Sequence, residues 1–353
     1  MPYPNVKPEP DFGRLEAVFE RRVPDRVPFI ELFLDEEVMV AIREAPFSED
    51  SAERAGEMGE LYFRLGYDYM PAGPDFSFPH RGVAATDTAA LSRGKREWVD
   101  EVCGTIGTWE DFERYAWPRP NDTTFVPIEQ AARALPEGMK LIPLGPGGVL
   151  ENVMWLMGYQ TMGYAMADEP ELVEAMFDRV GETLVELFGA MASHEAVGGV
   201  FLGDDMGFKT QTMASPEDLR RYVFPWQRRI GEAVHAQGKP FLLHACGNLE
   251  SVMEDLIDTV GIDGKHSFED VIMPVAEAKR RWGDRIALLG GIDVDFLTRA
   301  DPAGVRARTR EVLAACMPGG GYALGTGNSV ANYIPLENYL AMLDEGWQSG
   351  RYA

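Results

Sequence analysis

The chain has 353 residues, 33 of them Lys or Arg and 57 Asp or Glu, for a formal net charge of −24. That surplus excludes nucleic acid as a main partner, because phosphate binding needs clustered cations, and equally excludes docking on an anionic membrane surface. With 45% hydrophobic and 25% charged residues, the composition is that of an ordinary globular protein, long enough for two domains of about 150 residues or for one α/β barrel.

The first residues, MPYPNVKPEPDFGRLEAVFE, are Pro-rich and charged, with no apolar stretch of the signal-peptide kind; residues 1–12 read as an N-terminal extension. Strand candidates follow at RVPFIELF (26–33), YDYMPAG (67–73) and MKLIPLG (139–145). Between the second and third, residues 75–125 break the rhythm. They contain KREWVDEVCGTIGTWED, whose alternation and central Gly predict a small β excursion inserted after the second strand. The Met-rich stretch ENVMWLMGYQTMGYAM (151–166) reads as helix core packing, with a ligand-contacting lid as the alternative.

The second half alternates short apolar runs with amphipathic stretches. The runs are GGVFLGDD (198–205), PFLLHACGN (240–248), GIDGKHSF (261–268), RIALLGGID (285–293) and GGYALGTGN (320–328). Each suits a strand buried on both faces. Helices are predicted at 215–236, opening on Ser215 as cap with Pro216 in the first turn, and at 250–259, 273–282, 302–316 and 335–346. The last residues, GWQSGRYA, read as a tail. Eight strands, each followed by a helix, predict an α/β protein: one (β/α)8 TIM-type barrel spanning residues 1–353, with the insertion at 75–125. A doubly wound open sheet is the competitor, weakened by the missing GxGxxG after the first strand.

Three cysteines, Cys103, Cys246 and Cys316, cannot make a disulfide framework. The odd count suits a reducing compartment, no apolar run approaches about 18 residues, and the expectation is a cytoplasmic protein. In a barrel the site forms at the C-terminal strand ends. Those ends carry Glu31, Asp204, Asp205, His244, Cys246, Asn248, Lys265, His266, Asp293 and Asn328. His244 and Cys246, two apart on a strand, face the same way and are suitable zinc ligands; a core histidine and a small buried thiol are the alternative. Of Asp204 and Asp205 only one points inward, as acid/base, as ligand, or as nothing more than a helix cap or a partner of Lys209. Cys103 and Cys316 read as structural thiols, and His80, His194 and His235 suggest no chemistry. GxxxxGK[ST], HExxH, GxSxG and the corrinoid-binding DxHxxG are all missing, so a corrinoid would have to arrive on another protein.

PDRVPF, IPLGPGGVLENVMWLMGYQTM, GDDMGFKTQTMASPEDLRRYVFPWQRRI, LLHACGN and GGYALGTGN followed by YIPLENYLAML together resemble the uroporphyrinogen decarboxylase superfamily over about residues 13–347. That superfamily includes zinc-dependent, corrinoid-linked methyltransferases, and its fold is the (β/α)8 barrel. The decarboxylases carry arginines after the first strand to grip the porphyrinogen carboxylates; here that segment is ELFLDEEVM, with Glu31, Asp35, Glu36 and Glu37. The methyltransferase branch is the closer match. It implies zinc held by HxCG on the fifth barrel strand, matched by His244, Cys246 and Gly247, and by a cysteine after the eighth, where this chain has Asn328.

What the resemblance implies is a metal-dependent methyltransferase that moves a methyl group to or from a corrinoid on a separate small protein. His244 and Cys246 would hold zinc, with Asp204, Asp205 and Asn328 as catalytic candidates. Glu31, Lys209, Asn248, His266 and Asp293 are the candidates for binding a small-molecule substrate. The alternatives are a metal-free lyase or decarboxylase acting on a small carboxylated substrate, and a non-catalytic corrinoid- or tetrapyrrole-binding protein. A homodimer is also implied, with no interface legible in the residues.

Overall fold

The structure, a computed structural model, describes residues 3–352 apart from 90, 93 and 100–103. Cys103 and part of the inserted segment therefore lie outside the described residues.

The fold is α/β, with parallel sheets at its centre. In chain order the strands are β1 (Tyr69–Ala72), β2 (Gly82–Thr86), β3 (Lys95–Val99), β4 (Lys140–Pro143), β5 (Val200–Gly203), β6 (Phe241–His244), β7 (Gly264–His266), β8 (Ala287–Leu289) and β9 (Tyr322–Ala323). β5 to β9 form one parallel sheet in sequential order, and β1 pairs in parallel with β4. Parallel bridges Leu141↔Val197 and Leu144↔Phe201 connect β4 to the β5 segment. Parallel strands need helical crossovers that cover both sheet faces, and accordingly Val200, Phe201, Leu202, Phe241, Leu242, Leu243, Ala287, Leu288 and Leu289 are all buried.

The stretch expected as a strand at 26–33 forms no ladder. It is held by parallel bridges Phe29↔Leu324 and Leu34↔Val330 and by the antiparallel bridge Arg26↔Arg351. Pro28 lacks the N–H that a continuous ladder would use. Its inner side meets a cluster of buried tyrosines: Tyr67 and Tyr69 pack edge-on at 5.6 Å, Tyr62 lies against both, and the Tyr67 and Tyr339 hydroxyls are 2.7 Å apart. The β excursion takes the form of the antiparallel pair β2–β3, from Gly82↔Val99 to Thr86↔Lys95.

Of the expected helices, 302–316 is Pro302–Cys316, capped by Asp301, which accepts from the Gly304 N–H at 2.7 Å. Ser215 caps its helix as expected, accepting from Asp218 N–H at 3.1 Å. Beyond that cap, a π-helical stretch at Leu219–Val223 precedes Phe224–His235. The 250–259 helix likewise breaks into short turns ending in a second π-helical stretch, Leu256–Val260. The expected helix at 273–282 is Val275–Trp282. The last helix runs Leu336–Ser349, so the first half of the expected tail is helical, with Ser349 bonded to Glu345. No helix among the described residues is long and apolar enough to cross a membrane.

Candidate functional site

Register builds the site. Gly203 pairs with His244 and His244 with His266. In-register neighbours on parallel strands project to the same face about 4.8 Å apart, so the two imidazoles meet at the C-terminal end of the sheet. Their Nδ1 atoms are 2.8 Å apart.

Past β6 the chain turns sharply at Gly247 (φ +83°), where a Cβ would lie 2.1 Å from the Gly207 carbonyl oxygen. Only glycine allows this contact. It brings the segment after β5 against Cys246, so that the Cys246 N–H donates to Asp205 Oδ1 at 2.7 Å. His244 Nε2 then lies 3.3 Å from Cys246 Sγ and 3.5 Å from Asp205 Oδ1. Among the described residues, Asp205, His244 and Cys246 are the group whose ligand atoms gather closely enough for a metal, all within 4.8 Å of one another. Around a tetrahedral zinc, S, N and O donors stand roughly 3.5 Å apart. The donor set and its spacing therefore fit zinc.

Burial sets the protonation of these donors. Burial, with Lys265 adding to it, pushes the His244 pKa down to about 3, which keeps the imidazole neutral, the form that ligates metal. Burial and then the Asp205 carboxylate push the Cys246 thiol up, an arrangement that a bound cation reverses. Asn328 stands on Cys246: its Nδ2 donates to Sγ at 3.0 Å, and its Oδ1 accepts from the Ser329 N–H at 2.8 Å, fixing the amide's orientation. The third protein donor in the group is thus the Asp205 carboxylate, and Asn328 acts on the sulfur as a hydrogen-bond donor.

The other candidate residues are placed as follows. Asp204 is fully buried behind Asp205, accepting from the Val149 and Glu151 N–H groups (3.0 Å each) and from Gln227 Nε2 (2.7 Å). It caps the helix Val149–Met157, and burial raises its pKa to about 6 against the effect of those bonds. Glu31 is buried against the strand β9 loop, accepting from Thr326 N–H at 2.9 Å and lying 2.5 Å from Thr326 Oγ1; burial raises its pKa to about 8. Lys265 is buried and bonded to the Ser267 and Ala245 carbonyls, close enough for its charge to act on both histidines, with burial lowering its pKa to about 8. Asp293 caps the helix Val294–Arg299 and also accepts from the Asp270 N–H. Asn248 accepts from the Glu250 N–H. Lys209 is exposed at the rim of a cleft of about 650 Å³ whose lining includes Asn328, Phe268 and Phe296. Cys316 is buried and outside the triad, its pKa pushed up to about 12.

Sequence reasoning missed Glu151. Burial and the neighbouring Asp205 and Asp204 charges raise its carboxyl well above the usual carboxylate range, so a third acidic group stands beside the triad. The visible signal was its position three residues after Gly148, as in a capping box.

A parallel α/β fold with polar side chains gathered at the C-terminal strand ends is an arrangement common to many enzymes. The model for uroporphyrinogen decarboxylase (URO-D) matches residues 105–346, and the chain belongs to this family. A uroporphyrinogen decarboxylase from Anaeromyxobacter dehalogenans (strain 2CP-C) is 24% identical, covering 95% of this chain and 93% of that protein. The methylcobamide:CoM methyltransferase MtaA of Methanosarcina barkeri is 30% identical over 131 residues, 37% of this chain and 36% of its own. Among solved structures, a methyltransferase from Methanosarcina mazei superposes with a TM-score of 0.73 at 18% identity, covering 96% of this chain and 98% of that one. That likeness is one of fold.

Proposed function

We propose that the chain is a metal-dependent methyltransferase, built on a single (β/α)8 barrel, that moves a methyl group between a small substrate and a corrinoid carried on a separate protein. The observation that carries this reading is the convergence of His244 Nε2, Cys246 Sγ and Asp205 Oδ1. Zinc held there supplies Lewis acidity, lowering the pKa of a nucleophile such as a thiol. The protein's own residues do the rest. The Cys246 N–H fixes the Asp205 carboxylate, and Asn328 stabilises negative charge on the Cys246 sulfur. Glu151 lies beside them, its carboxyl pKa raised by burial and by the Asp205 and Asp204 charges. The cleft, bounded by exposed Val271 and Tyr333 as well as by Phe268 and Phe296, admits substrate over Asn328.

The family's namesake reaction is a poor fit to the cleft, where Glu269, Asp270, Asp293 and Asp295 face Lys209 and Arg299, and Arg299 is paired with Asp295. A polycarboxylate would meet repulsion there. The test is metal content and methyl transfer together. Purified protein is expected to carry stoichiometric zinc and to demethylate methylcobalamin with a thiol acceptor. Cys246→Ala and Asp205→Ala are expected to lose the metal and the activity. Zinc that survives Cys246→Ala, or full activity in excess chelator, sinks the assignment.

A further inference from the structure

The second histidine of the pair has no assigned task in this reading, yet its geometry is restrictive. His266 is wholly buried, and its Nδ1 lies 2.8 Å from His244 Nδ1. Two ring nitrogens at that distance share one proton: two N–H groups would collide, and two bare lone pairs would repel. Whichever ring donates, the other must accept. The far nitrogen of the pair, His266 Nε2, has no partner at full hydrogen-bond geometry, but the Thr326 backbone carbonyl faces it. A Cβ on Gly290 would lie 2.2 Å from that carbonyl oxygen and 2.8 Å from His266 Nε2, so glycine is what lets the two approach. Thr326 is itself anchored to Glu31 through its N–H. A chain therefore runs from a fixed carbonyl through two imidazoles to the triad.

We propose that His266 is a positioning residue that sets the tautomer of His244 for metal binding, an inference that rests on the metal reading above. With His266 Nε2–H directed at Thr326 O, its bare Nδ1 accepts from His244 Nδ1–H, and His244 Nε2 is left with a free lone pair toward Asp205 and Cys246. In the opposite arrangement His266 Nδ1–H donates, and His244 carries its proton on Nε2, where it blocks ligation. The two rings hold two protons in either case, so the change redistributes protons without adding or removing one. Metal-bound histidines usually give their second N–H to a carboxylate or carbonyl; here an imidazole is interposed.

The experiment is long-range ¹H–¹⁵N NMR of the imidazoles in the full-length protein, before and after addition of zinc. With five histidines in the chain, substitution of His80, His194 and His235 assigns the remaining two. Without metal, one and only one of the His244 and His266 Nδ1 atoms is expected to be protonated. With zinc, His244 is expected as Nδ1–H with Nε2 ligated, and His266 as Nε2–H. His266 found as Nδ1–H in the zinc-loaded protein overturns the proposal and leaves the metal reading standing. Failure to bind zinc, with the one-proton relation intact in the free protein, overturns the metal reading and the proposal with it. As a second measurement, His266→Leu is expected to weaken zinc binding, by chelator competition, about tenfold or more. His266→Asn, with an acceptor near the Nδ1 position, is expected to restore most of it. Equal affinity of wild type and His266→Leu counts against the proposal, and melting of the zinc-free variants identifies any loss of fold.

Discussion

At Glu31, hydrogen-bond accounting and burial agree. Thr326 Oγ1 lies 2.5 Å from Glu31 Oε2 and 2.8 Å from the Asn328 carbonyl oxygen. One hydroxyl proton cannot serve both acceptors, but a protonated Glu31 donates to Thr326, which then donates to Asn328. The raised pKa of about 8 has a definite consequence for stability. Between the unfolded value of about 4.3 and about 8, the unfolded chain has lost a proton that the folded chain keeps. This contribution is fully present below the lower value and fades as pH rises through the window. Glu31→Gln, which keeps one donor and one acceptor, is expected to flatten that decline. Urea denaturation at pH 5.5 and 7.5 checks it, and parallel losses in both proteins refute it. Asn328→Ala removes a donor to the Cys246 sulfur. A hydrogen bond of about 1 kcal/mol predicts alkylation of Cys246 in metal-free protein slowed by up to about fivefold at a given pH.

At the scale of elements, Asp204 joins the segment after β5 to the helix Val149–Met157. It fills the capping place that Gly148 leaves open, since a Cβ on Gly148 would fall 2.1 Å from the Asp204 carboxyl carbon. Asp204→Ala would strand two N–H groups and the Gln227 amide in a buried place. The expected cost is on the order of 3 kcal/mol, read as a lowered melting temperature, with Asp204→Asn intermediate. A melting point unchanged in Asp204→Ala would show that the helix finds another cap. These elements also show what the sequence made legible. Runs such as FLLH and ALL declared themselves as strands buried on both faces, and HAC declared two donors on one face. The His244–His266 contact, the Asp204 cap and the Glu31–Thr326 bond each join positions that are distant along the chain. Inter-strand register creates them, and no local pattern encodes register between strands joined by helices. The π-helical stretches were equally silent, because their residues carry the same apolar spacing as an α-helix.

For the whole molecule, the acid surplus has a local meaning at the first strand segment. Asp35 accepts from the Asn332 N–H, Glu36 pairs with Arg54, and Glu31 is buried, so this segment supplies acids and no guanidinium for gripping a polycarboxylate. Titration with uroporphyrin, followed by its fluorescence, is expected to show no saturable binding at physiological salt. Tight binding displaced by salt would restore the porphyrinogen reading.

The tyrosine cluster beneath the first strand segment has a practical corollary. Tyr62, Tyr67, Tyr69 and Tyr339 are immobilised and asymmetrically packed where residues near Phe29 meet the last helix. Rings held in this way give strong near-ultraviolet circular dichroism, and they sit where isolated bridges join the first strand segment to the stretch after β9. The protein thus carries an intrinsic optical gauge of that seam. Its signal should fade first if the seam parts before the five-stranded sheet melts, and together with the far-ultraviolet signal if the molecule unfolds as one unit.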